Sequence, residues 1–323
     1  MAELSYRESI GYGMAQELAS DSRVVLVGED VGAAGHVFKS TVGLFDRFGP
    51  DRVRDTPISE QAFVGAAMGA AMTGLRPIVM LMYADFLGVC WDMVANEIAK
   101  TRYMTGGQVT IPLVLHADSG AGLRMGAQHS QSVENWAMAI PGLKVAAPST
   151  PADVVGLMAA AVRCDDPVLV LTHKYLYSTK GEVPDGEVVA ELGKAAVRRS
   201  GSSATVVALG AMVPEALRAA EMLEAEGISL EVIDLRTLVP LDVTAVLDSV
   251  GRTARLFTVE ENPRLCGWGA ELASIVAEEA VWNLDGPIVR ITAPHVPMPA
   301  APNLEDATLP RAERIVERIR KAL

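Results

Sequence analysis

DTPISEQAFVGAAMGAAMTGLRPIVMLMY, residues 55–83, decides the fold. Pro57 and Ser59 belong to a loop that ends at a helix start, and the Gly/Ala/Met-rich run after Glu60 reads as a helix over 61–73. RPIVMLMY (76–83) then reads as a strand with apolar side chains on both faces. Such a strand needs cover on both sides, which a parallel sheet between helix layers supplies.

The same rhythm extends outward. VVLVG (24–28) precedes it as a strand; after it come a helix over 88–103, a strand IPLVLHA (111–117), a Gly-rich loop through 128, a strand LKVAAP (143–148), a helix over 151–163 with Pro near its start, and a strand PVLVLTH (167–173). The expected first domain is a doubly wound α/β unit, residues 1–190. STKGEVPDGEVVAELG (178–193) breaks the pattern with a Pro-Asp-Gly turn among charges. Beyond it, strands at 204–210, 230–235, 255–261 and 287–293 alternate with helices over 214–226, 242–250 and 270–282, and a last helix starts near Pro310. The second domain, 191–323, is a smaller sheet of the same α/β class.

Composition narrows the function. Lys and Arg number 28 against 40 Asp and Glu, a net charge of −12, and no basic run offsets it, which excludes nucleic acid and anionic membrane as partners. Half of the residues are hydrophobic but only 5% are aromatic, so the core is expected to be Ala, Val, Leu and Met. The apolar region 62–95 is interrupted by Arg76-Pro77, Asp85 and Asp92, so it reads as core and not as a membrane span. Residues 1–18 read as an amphipathic helix and carry Glu3, Arg7 and Glu8 where a signal peptide needs an apolar core, so a cytoplasmic protein is expected. Cys90, Cys164 and Cys266 are read as free, buried thiols in a reducing compartment.

The glycine loops that bind dinucleotides or nucleoside triphosphates are absent, as are GxSxG, HExxH and CxxC; His36, His116, His129, His173 and His295 are too scattered for a local metal box. Two motifs remain. Glu60 opens a helix whose Gly65 and Gly69 lie four apart, a face that lets another backbone approach. By itself Glu60 is equally a carboxylate favoured by the helix dipole, worth about 0.3–1 kcal/mol. His129 sits in AQHSQS (127–132) after the Gly-rich loop DSGAGLRMG, and alone it reads as an ordinary satisfied polar group.

Read together, GED (28–30), DTPISE (55–60), ADF (84–86), AKTRYMTGG (99–107), AQHSQS (127–132), IPGLKV (140–145), APST (147–150), VIDLRTLVPLD (232–242), VEENP (259–263) and TAPHVPMP (292–299) resemble the β chain of thiamine-diphosphate-dependent 2-oxoacid dehydrogenases. ISEQAFVGAA, DFLGVCWD, GLRMGAQHSQS and PSTP resemble the acetoin dehydrogenase branch most, with pyruvate dehydrogenase β chains as near neighbours. The resemblance covers nearly the whole chain. It implies a transketolase-like pyrimidine-binding domain followed by a transketolase C-terminal domain.

The resemblance also implies the chemistry. Glu60 would hydrogen-bond the pyrimidine ring of thiamine diphosphate and favour the imino tautomer that deprotonates the thiazolium carbon, in a site whose exclusion of water raises the carboxyl pKa. Phe86 would pack on the pyrimidine, Met82 and the Ile58 backbone would line its pocket, Glu29 would lie close by, and His129 would face the reacting carbonyl. The GDG…N segment that carries Mg²⁺ and the diphosphate has no counterpart here, so Mg²⁺ is expected on an α chain in an α₂β₂ heterotetramer that passes an acyl group to a lipoyl acyltransferase. The second domain would serve assembly and docking. Relatives with K⁺ place it near the positions of Leu113, Ala161, Val162, Cys164 and Asp166, with Cys164 standing where Asp is usual. Ala139 stands where many relatives carry His, so no proton-transfer role is assigned there. Two other readings stay open: a transketolase-like transferase subunit, and a non-catalytic partner that stabilises an α chain.

Overall fold

The computed structural model describes residues 1–323. The chain divides into two compact units, Met1–Ser119 with Trp136–Leu192 and Gly120–Asn135 with Gly193–Leu323. The Gly-rich segment thus interrupts the first unit in sequence but packs with the second.

Elements of the first part run β1 (Ala2–Ser5), α1 (Tyr6–Ser20), β2 (Val24–Gly28), α2 (Leu44–Phe48), β3 (Val53–Asp55), α3 (Glu60–Met72), β4 (Arg76–Leu81), α4 (Ala99–Met104), β5 (Val114–Ser119), α5 (Glu134–Met138), β6 (Lys144–Ala146), α6 (Pro151–Arg163), β7 (Val168–His173) and β8 (Lys180–Val183). Six strands form a parallel sheet in the order β6-β7-β5-β4-β2-β3. β5 and β7 are buried throughout and β4 is buried beyond Arg76, as strands covered on both faces must be. Helix α1 begins with a reciprocal cap: Ser5 Oγ accepts the Glu8 N–H at 3.2 Å and Glu8 Oε2 accepts the Ser5 N–H at 2.8 Å.

Two expectations need correction here. Residues 2–5 are not helical but pair antiparallel with β8, inside the stretch read as a break. The single α-helix expected over 88–103 begins at 91 and carries a π-helical turn (Met93–Ile98) before α4, and a separate 3₁₀ turn (Ala84–Gly88) precedes it. Ala84, Asp85, Leu87 and Cys90 are buried, so packing of the turn against the sheet overrides a uniform helical register. The Met82–Tyr83 and Val239–Pro240 bonds are cis.

The second unit contains β9 (Ala196–Arg199), β10 (Ala204–Ala208), α7 (Met212–Glu224), β11 (Leu230–Asp234), β12 (Thr237–Val239), α8 (Val243–Thr253), β13 (Leu256–Pro263), α9 (Trp268–Glu279), β14 (Val289–Ala293), α10 (Pro302–Thr308) and α11 (Ala312–Arg320). Its sheet has the order β14-β13-β10-β11-β9, parallel except for β9, which runs antiparallel at the edge. Asp242 caps α8 by accepting the Ala245 N–H at 3.2 Å. No helix is long and apolar enough to cross a membrane.

Candidate active site

In the first sheet the chain passes from β2 to its neighbour β3 on one side, then to β4 on the other. That reversal opens a crevice at the carboxyl ends of β2 and β4, the place where open α/β sheets bind ligands. Glu29 follows β2, Ile58 and Glu60 follow β3, and Met82 and Phe86 follow β4. Five residues singled out from sequence therefore come from the ends of three adjacent strands. Gly28 permits this crowding, because a Cβ there would stand 2.6 Å from the Met80 carbonyl oxygen.

Glu60 is the first residue of α3 and only 6% exposed, yet its carboxylate receives no hydrogen bond from the chain. Glu29 is 5% exposed, and its Oε1 is buried without a partner. Burial, then the charge of Glu60, then that of Asp30 push the Glu29 carboxyl up to about 7. Ile58 is 83% exposed at the rim and Phe86 half-buried, its ring 6.5 Å from that of Tyr83. Along α3, Gly65 meets the Met93 side chain while Gly69 faces open space, so this chain does not itself supply the close backbone approach expected there.

Behind Tyr83 lies a buried polar cluster that the sequence reading missed. Tyr177 donates its hydroxyl proton to Asp118 Oδ1, His36 Nε2 stands 3.4 Å from Asp118 Oδ2, and Thr172 Oγ1 lies 2.9 Å from His116 Nε2. Lys174, 1% exposed, reaches the Asp118 carbonyl and sits 5.3 Å above the Tyr83 ring. Burial drives the His116 pKa down to about 4, against the pull of Asp118, and lowers that of His36 as well. The signal available in sequence was weak: polar residues inside otherwise apolar strands, IPLVLHADS and PVLVLTH.

His129 lies in segment 120–135, which belongs to the second unit, whereas Glu60 belongs to the first. At the end of that segment Glu134 is buried, and burial together with the charges of Glu261 and Glu260 pushes its carboxyl up to about 8. Of the cysteines, all free, Cys90 is buried and its thiol raised to about 12, Cys164 is half-buried, and Cys266 is exposed. Cys266 corrects the expectation of three buried thiols; it sits at a left-handed φ of 55° in the turn before α9, where its side chain faces solvent.

Three of the five residues considered for K⁺, Val162, Cys164 and Asp166, meet cations already present in the chain. Arg76 Nη1 donates to the Val162 and Cys164 carbonyls at 2.7 and 3.2 Å. Lys144 Nζ donates to Asp166 Oδ2 at 2.7 Å and Cys164 Sγ at 3.0 Å, and Arg102 also pairs with Asp166. A K⁺ ion would have to share these oxygens with like charges, so the set does not fit it.

A parallel sheet with paired, unpartnered carboxylates at its switch point, followed by a smaller α/β unit, defines a protein of the transketolase type. The family models agree: residues 2–180 match the transketolase pyrimidine-binding domain and 193–315 the transketolase C-terminal domain. A solved split-gene transketolase, an inactive β4 tetramer, superposes with a TM-score of 0.83 at 26% identity over 99% of this chain and 98% of its own. Among curated relatives, the β subunit of acetoin:2,6-dichlorophenolindophenol oxidoreductase from Cupriavidus necator is 44% identical over 99% of this chain and 98% of its own. The 2-oxoisovalerate dehydrogenase β subunit of Bacillus subtilis is 42% identical over 99% of both chains, and the pyruvate dehydrogenase E1 β subunit of Rhizobium meliloti 44% over 99% of this chain and 70% of its own. The chain belongs to the β-subunit family of the acetoin and 2-oxoacid dehydrogenases.

Proposed function

We propose that this chain is the β subunit of a thiamine-diphosphate-dependent dehydrogenase acting on acetoin or a pyruvate-type 2-oxoacid, with residues 1–190 as the pyrimidine-binding domain and 191–323 as the C-terminal domain. The observation that carries the reading is the buried pair Glu29 and Glu60 at the switch point, with Glu60 accepting no hydrogen bond and Glu29 Oε1 orphaned. Buried polar groups are almost always paired, so such a pair calls for a ligand that brings donors. An aminopyrimidine brings an exocyclic N–H donor and a ring nitrogen that can share a proton with a carboxyl group, and the residues present fit it.

When bound, thiamine diphosphate supplies a carbon acid whose conjugate base adds to carbonyls. Glu60 would share a proton with the pyrimidine ring nitrogen, and its burial keeps water from competing for that contact. Phe86 would pack on the ring, Met82 and the Ile58 backbone would line it, and Glu29, its carboxyl pushed up to about 7, would lie close by. His129 would present its imidazole to the reacting carbonyl. An α chain would bring Mg²⁺ and the diphosphate site in an α₂β₂ assembly, and a lipoyl acyltransferase would accept the acyl group. The bare Gly69 face of α3 suits close packing by that second chain. The test is Glu60→Gln in the assembled enzyme: a loss of about 10²-fold or more in turnover with assembly intact is expected, and full activity would remove Glu60 from the mechanism.

A further inference from the structure

The loop that carries His129 has an unusual backbone. Gly120, Gly122, Arg124 and Gly126 all have left-handed φ, 81°, 100°, 62° and 76°, and Arg124 holds that conformation without being glycine. At Arg124 that conformation carries a cost, and it persists only if the surroundings over-determine it. Two buried carboxylates of the second unit do so. Glu305 on α10, fully buried, accepts the Gly122 and Arg124 N–H groups at 2.9 and 3.3 Å through Oε1 and the Arg124 guanidinium at 2.5 Å through Oε2. Glu261 on β13, 7% exposed, accepts the Ala121 N–H and the Ser132 hydroxyl, both at 2.8 Å, through one oxygen, Oε1.

Glu261 therefore ties the two stems of the loop together, one before His129 and one after it, and the Gly120 N–H closes the same neck on the Gln131 carbonyl at 3.1 Å. Asp306 adds a two-oxygen pair to Arg124, at 2.9 and 2.8 Å, and the Pro302 carbonyl a further contact at 3.0 Å. Charged acceptors on backbone N–H groups are the strong class of hydrogen bond.

We propose that Glu261 and Glu305 are positioning residues: from the C-terminal unit they hold the 120–135 loop in one shape and so set where His129 stands. This rests on the reading of His129 as the group that faces the reacting carbonyl.

The test uses the full α/β assembly with Glu305→Gln, Glu261→Gln, His129→Ala and the double variants that combine each Gln with His129→Ala. Hydrogen exchange of residues 120–126 reads the loop without reference to activity. In Glu305→Gln it should speed up about 10-fold or more, the scale of a lost hydrogen bond to a charged group, and turnover should fall by about 10-fold or more. In the His129→Ala background the same substitution should add less than about 2-fold, because a residue that acts through His129 loses its effect when His129 is gone. Additive losses, or unchanged exchange, would overturn the proposal. Full turnover in His129→Ala would instead sink the reading of His129; faster exchange in Glu305→Gln would then still support the clamp as the holder of the loop. If Glu305→Gln does not assemble, Ser132→Ala, which removes one donor from Glu261, carries the same comparison.

Discussion

A carboxylate buried without a partner is costly, and the first unit holds two within reach of each other's charge, Glu29 and Glu60. At the residue scale that cost marks the site. It also gives pH predictions. A carboxyl whose folded pKa is raised contributes full stability below its unfolded pKa and loses it as pH rises through the folded one. For Glu134 the window runs from 4.5 to about 8. Glu134→Gln should therefore gain on the parent protein between pH 5 and pH 9 by on the order of 4 kcal/mol, read from urea titrations at the two pH values; a constant gap would contradict it. His116 has the opposite sign. Its folded pKa is depressed from 6.5 to about 4, so it costs stability as pH falls through that window, and replacing it with Gln should flatten acid unfolding there. Residues such as Glu60 were legible in sequence because a motif surrounds them. His36, Asp118 and Tyr177 were not, because their pairing joins residues far apart in the chain and no local pattern announces it.

At the element scale, strands β2, β4, β5, β6, β7, β10, β11, β13 and β14 and helices α3, α6 and α7 were readable from apolar runs and caps, to within a few residues, while the short β3 was not. What escaped was held by distant partners: β1 pairs with β8 across the whole first domain, and β9 is an edge strand, AVRR, with no residue buried. Segment 88–103 reads as one α-helix because its periodicity is helical, and from 91 on it is helical, with a π-helical turn (Met93–Ile98) in place of a uniform α register. The IPGLKV turn shows how an element is pinned. A Cβ on Gly142, at φ 99°, would lie 1.9 Å from the Ala99 carbonyl oxygen at the start of α4. Gly142→Ala should destabilise the protein by roughly 3 kcal/mol or more, measured by thermal or urea unfolding; a loss under about 0.5 kcal/mol would mean that α4 is free to move away.

Over the whole molecule, the Arg76, Lys144 and Arg102 cluster supplies its own positive charge at Val162, Cys164 and Asp166. Exchanging K⁺ for Na⁺ at constant ionic strength should leave the Tm within about 1 °C, whereas a rise of several degrees in K⁺ would return that ion to the five-residue set. The central claim concerns completeness. On the proposed function, this chain would offer the pyrimidine half of a thiamine diphosphate site and leave the diphosphate and its metal to a second chain. The measurement that tests it most directly is reduction of an artificial electron acceptor, with thiamine diphosphate, Mg²⁺ and acetoin, pyruvate or branched 2-oxoacids in parallel, by the chain alone and by its α/β assembly. Turnover by the assembly and none by the chain alone is the predicted result; turnover by the chain alone, or an assembly silent on every substrate, would contradict the account.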